Sequence, residues 1–119
     1  MRGRVVALGL GLSLGAVAMS HRLTAQEPNG QAVYKEECKS CHGLNGIPPQ
    51  RALAKYKKIK ALGDSGFVSA LSTDSIVKIL KKGIDKNMKS FTDKLSELEM
   101  HAVAAYIKGL AEKAKKEGT

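Results

Sequence analysis

Apolar residues recur along this chain at helical spacing and nowhere alternate as they would along a half-buried strand. The clearest run is the last. Ser96 and Glu99 form the Ser-x-x-Glu pattern that opens a helix, and Met100, Val103, Ala104, Ile107 and Leu110 then fall on one stripe. Upstream, Ser72 or Thr73 caps a helix that places Ile76, Ile79 and Leu80 on one face and ends at Gly83. Residues 51–62 read as a helix stopped by Gly63, and Asn29 caps a first helix over 30–39. Gly43, Gly46, Pro48 and Pro49 make residues 42–49 an irregular loop, and a second loop over 83–95 holds Met88 and Phe91. The expected architecture is a small all-α domain of about four helices.

The N-terminus has a different pattern. Arg2 and Arg4 precede fifteen uncharged residues, 5–19, fewer than the roughly 20 that a membrane-spanning helix needs. A basic start and a short apolar stretch are the marks of a secretory signal, with cleavage after Ala25 and a second candidate after Ala18. Residues 1–25 are therefore expected to be a cleaved signal peptide and residues 26–119 a single domain, exported to a periplasm. A signal that stays uncleaved would make the same segment an anchor.

Charge and composition narrow the function. The chain carries 20 basic and 11 acidic residues, a net +9, and loss of Arg2, Arg4 and Arg22 leaves about +6. That balance excludes an acidic disordered tail. Nucleic acid is not an expected partner, because the domain is exported and no aromatic platform interleaves its lysines. Aromatic residues make up only 4% and there is no Trp, so the core is weak for a domain of this size. Two cysteines are too few for a disulfide framework. Small domains with weak cores need a staple, and a large tethered cofactor would serve.

Both cysteines lie in Cys38-Lys39-Ser40-Cys41-His42, and C-x-x-C-H is the attachment signature of a c-type haem. Two thiols about one helical turn apart can each bond one vinyl edge of the porphyrin, while the next residue points its imidazole at the iron. A dithiol redox pair would sit at a strand-to-helix junction, and no strand pattern is present. A structural zinc would need four ligands, and only His21 and His101 could join these three. A plain disulfide would have no use for His42. One covalently bound haem c with its iron is the expected cofactor.

With that motif in place the chain resembles the class I cytochromes c. Gly30 and Tyr34 stand eight and four residues before Cys38, where that family has a small and an aromatic residue on its first helix. Residues 103–107, Val-Ala-Ala-Tyr-Ile, look like its last helix, which crosses the first at those positions. The resemblance runs from Gly30 to Leu110. It implies a small cytochrome c fold, about four helices wrapped around the haem, with His42 as one axial ligand and Met88 as the other. Lys89 follows Met88 where the family often has Pro. Met100 reads as core filler. His101 is the competing ligand, and an open sixth position is the third alternative.

Haem also needs groups around it. The other imidazole N–H of His42 should meet a fixed acceptor, for which a carbonyl in Pro48-Pro49 is the expected donor's partner. Arg51 and Tyr56 are the expected partners of the haem propionates. The implied function is not enzymatic: one-electron transfer between larger redox proteins that present an acidic docking face. Lys39, Lys86 and Lys89 should rim the haem edge, extended by Lys78, Lys81 and Lys82. Contact with a membrane is expected only through partners or an uncleaved anchor. Two alternatives stand beside this reading: a haem subunit of a respiratory, photosynthetic or sulfur- or nitrogen-oxidising complex, and a ligand-binding or peroxidase-like haem protein with an open sixth site.

Overall fold

The computed structural model describes residues 25–118. The expected signal segment lies outside the described residues except for Ala25. Among the described residues there are six helices and no strand: α1 Gly30–Glu37, α2 Lys39–His42, α3 Gln50–Lys55, α4 Ser65–Ser69, α5 Thr73–Lys82 and α6 Glu97–Glu117. None of these is long and apolar enough to cross a membrane.

Local sequence explains most of the boundaries. The Asn29 side chain accepts the Ala32 N–H at 3.1 Å and starts α1. Ser72, rather than Thr73, caps α5 by accepting the Ser75 N–H at 3.1 Å. At α6 the full capping box forms: Ser96 Oγ accepts the Glu99 N–H, and Glu99 Oε2 accepts the Ser96 N–H at 2.8 Å. Gly83 ends α5 with φ of 72°, a conformation that L side chains rarely adopt.

Two expectations need correction. The helix anticipated over 51–62 is α3, which stops at Lys55, because Tyr56 turns to φ −124° and ψ 84°. The lysine-rich stretch after it runs as turns and is held by the Gly63 N–H donating to the Gly46 carbonyl at 3.0 Å. The short helix α4 was not anticipated. Asp64 caps it by accepting the Gly66 N–H at 2.8 Å, and it drives Val68 into the core. Five residues containing a glycine carry too little periodicity to announce it.

Helix α6 is the hub, packed against α1, α4 and α5. It buries Met100, Val103, Ala104, Ile107 and Ala111, while Leu110 at the edge of the expected stripe is half-buried. On α5 the buried face is Ile76, Val77 and Leu80. Fully burying an aliphatic side chain contributes about 1.5–3 kcal/mol, so the α5–α6 contact supplies much of the core. At the α1–α6 crossing a Cβ on Gly30 would run into the Ala102 carbonyl oxygen. The two backbones therefore touch, and the Tyr34 and Tyr106 rings fill the space beside them, centroids 5.2 Å apart and tilted 53°.

Candidate functional site

Helix α2 presents the Cys38–His42 motif at one wall of a cavity of about 550 Å³, within the 300–1,000 Å³ usual for cofactor sites. Cys38, Cys41 and His42 border it on one side. Residues 55–60, the piece of chain released by the early end of α3, border it on another. Ile76, Ile79 and Leu80 of α5, Ile107 of α6, and Phe67, Val68 and Leu71 give it an apolar lining. The loop after α5 closes it with Ile84, Asp85, Met88 and Phe91.

Cys38 is buried and Cys41 is half-buried, with no disulfide between them. Burial pushes the Cys38 thiol up to about 11, and the neighbouring Glu37 and Cys41 add to the shift. Burial lowers the imidazole pKa of His42, against the opposing effect of a backbone carbonyl. That carbonyl belongs to Lys60, 3.1 Å from His42 Nδ1. The expectation that Pro48-Pro49 would supply it is thereby corrected. The Pro49 carbonyl is already committed to starting α3, accepting the Ala52 and Leu53 N–H groups at 2.8 and 3.1 Å. Neither proline borders the cavity.

The other expected residues divide. Met88 is half-buried and borders the same cavity as His42. Met100 is 4% exposed within the core, and His101 lies on the outer side of α6 near Glu97, Nε2 to Oε1 4.0 Å; neither borders the cavity. Tyr56 borders it, with Lys55 Nζ 5.1 Å from the centre of its ring. Arg51 does not: it points from α3 into a separate depression lined by Ser40, Cys41, Ala52, Lys55 and Tyr56. The cations at the main cavity are instead Lys55 at the end of α3, Lys57, Lys58 and Lys60 on the segment after it, and Lys89 and Lys94 on the loop between α5 and α6.

The loop holding Met88 has an order that its sequence did not announce. Asp85 Oδ1 accepts the N–H of Asn87 at 2.7 Å and that of Met88 at 3.1 Å. These two amides, with help from Lys86 and Lys58, hold its carboxyl below the usual range. The Met88 carbonyl in turn accepts the Ile84 N–H at 2.9 Å. Beyond Met88, Ser90 Oγ donates to the Lys81 carbonyl at 2.7 Å, and the Phe91 N–H donates to that of Leu80 at 2.9 Å. The short Asp-x-Asn-Met stretch behind a helix-ending glycine was the available signal.

A large apolar cavity with two thiols at its edge, and with an imidazole and a thioether on its walls, fits a covalently tethered haem. The comparisons agree. The family described as cytochrome C oxidase, cbb3-type, subunit III matches residues 25–107. Cytochrome c6 of Synechocystis sp. is 33% identical over 111 residues, spanning 92% of this chain and 82% of that protein. A cytochrome c6-like protein of Nostoc sp. is 36% identical over 85 residues, 71% of each chain. The solved structure of the KustC0563 c-type cytochrome shares the fold, with a TM-score of 0.62 at 24% identity over 70% of this chain and 98% of that one.

Proposed function

The chain belongs to the small monohaem class I c-type cytochromes, electron-transfer proteins with a covalently bound haem c, and from that premise we propose that it is a periplasmic carrier of single electrons with His42 and Met88 as axial ligands. The observation that carries this reading is that His42 and Met88 border one apolar cavity while Met100 and His101 lie outside it. Haem c supplies an iron that alternates between ferric and ferrous. Cys38 and Cys41 hold the group by thioether bonds, which prevents its loss during repeated encounters with partners. The Lys60 carbonyl orients the His42 ring and fixes its Nδ1 as the protonated nitrogen. A thioether opposite an imidazole raises the reduction potential, and ligands that stay in place keep reorganisation small. One electron arrives from a reduced protein and leaves to an oxidised one, with no bond made or broken.

Export is supported by the basic and apolar start of the chain. Docking is assigned to exposed Lys39, Lys86 and Lys89, the last two flanking Met88, and the partner is a redox protein with an acidic face. Of these Lys89 borders the cavity, and Lys81, proposed to extend the rim with Lys78 and Lys82, pairs with Glu97 at 2.8 Å. The matching family is described as an oxidase subunit, which favours a second reading as a haem subunit of a respiratory complex. The test is a visible spectrum, a redox titration and exposure of the reduced protein to carbon monoxide. A methionine-ligated ferric spectrum, one one-electron wave and slow carbon monoxide binding are expected. Immediate binding overturns the His/Met carrier. Co-purification with a membrane complex, and absence from the periplasmic extract, favours the subunit.

A further inference from the structure

The loop that brings Met88 to the cavity lacks the proline that would stiffen it, and Ile84, Asp85, Lys86 and Asn87 are all exposed. Ile84, Asp85 and Asn87 border the cavity, and no protein side chain covers them. Hydrogen bonds order the stretch between Gly83 and Met88. Gly83 has no room for a Cβ, with the Met88 carbonyl oxygen 2.7 Å from where one would stand. The Ile84 N–H closes on that same carbonyl at 2.9 Å. Inside this small ring a single oxygen, Asp85 Oδ1, takes both the Asn87 and the Met88 N–H groups. It is the only side-chain group hydrogen-bonded to the Met88 backbone among the described residues.

Resting on the reading of Met88 as an axial ligand, we infer that Asp85 is the positioning residue that holds the Met88 thioether on the iron, in place of a loop proline. Asp85 acts through the loop backbone, its Oδ1 accepting the Asn87 and Met88 amides. Restraining the Met88 N–H narrows the directions in which the side chain leaves the loop, so its sulfur spends less time away from the metal. Asp85 is not hydrogen-bonded to His42 or to its partner, the Lys60 carbonyl, so removing the acceptor should free the loop and leave that hydrogen bond in place.

The test compares the haem-loaded protein with Asp85→Ala and Asp85→Asn. In Asp85→Ala the reduced protein should bind carbon monoxide about tenfold faster, the order expected when the charged acceptor shared by the Asn87 and Met88 N–H groups is lost, and the weak long-wavelength ferric band should shrink. Asp85→Asn keeps an acceptor oxygen but loses its charge, and should fall between the wild type and Asp85→Ala. Far-UV helix content and the unfolding midpoint, read alongside, separate loop release from general destabilisation. If Asp85→Ala matches the wild type, or if Asp85→Asn opens the site as far as Asp85→Ala does, the inference is overturned while Met88 ligation stands. If the wild type itself lacks the band, the Met88 reading falls and this inference with it.

Discussion

Tyr34 donates its phenolic hydrogen to the Gly43 carbonyl at 2.7 Å. Helix α1 thus reaches past its own end and holds the turn that closes the Cys38–His42 segment. The ring is fully buried, and the contact joins the helix crossing at Tyr106 to the haem-bearing turn. One side chain serves both the fold and the site.

Tyr34→Phe should leave the buried Gly43 carbonyl with only the Gly46 N–H, at 3.3 Å, and cost about 1 kcal/mol in chemical denaturation. The pH dependence should change too. Burial raises the phenol pKa well above its ordinary value near 10. Between those values the folded protein keeps a proton that the unfolded chain has lost, so the stability this proton supplies is full below about pH 10 and is lost as pH rises further. Unfolding midpoints of the wild type should fall above pH 10, and those of Tyr34→Phe should fall less.

Gly30→Ala should destabilise the protein, because the new Cβ meets the Ala102 backbone and not a side chain that could move aside. Overpacking of this kind costs about 1–3 kcal/mol. A lowered melting temperature with an unchanged haem spectrum is the expected result. An unchanged melting temperature would mean that α1 and α6 do not cross in contact at this position.

Met88→Ala should abolish the weak long-wavelength band of methionine-ligated ferric haem and lower the reduction potential. Met100→Leu, a volume-conserving change in the core, should leave both intact and cost roughly 1 kcal/mol. Survival of the band in Met88→Ala would move the ligand elsewhere.

Reversing Lys39, Lys86 and Lys89 to Glu should slow electron transfer to an acidic partner and flatten its dependence on salt, since ions screen such steering over about 8 Å at physiological strength. The same reversal at Lys113, Lys115 and Lys116 near the end of α6 should do far less; Lys113 there already pairs with Glu117 at 3.7 Å. Stopped-flow rates across a salt series decide it. Equal losses from both triplets would mean that net charge alone guides docking.

The all-α class, the haem motif and the Ser96–Glu99 cap were legible in the chain, because each depends on neighbours within a turn or two, or on spacing that a helix repeats; the crossing of Gly30 and Tyr34 with Tyr106 was legible only through the resemblance to a family. The match to a cytochrome family over residues 25–107 agrees with that reading. What surrounds the haem was less legible. The acceptor for His42 is the Lys60 carbonyl, eighteen residues away, and any residue type could have supplied it. Lys57, Lys58 and Lys60 reach the cavity on the segment that follows the end of α3 at Lys55, whereas Arg51, inside α3, faces a separate depression. Helix α3 ends where Tyr56 leaves helical geometry, and the Gly63 N–H at the far end of the following segment donates to the Gly46 carbonyl, a contact between distant residues. Sequence by itself determined which atoms can bond to haem, since that is side-chain chemistry at short spacing. Only the tertiary structure decided which backbone groups hold those atoms in place, since carbonyls and amides are the same at every position until the fold brings them together.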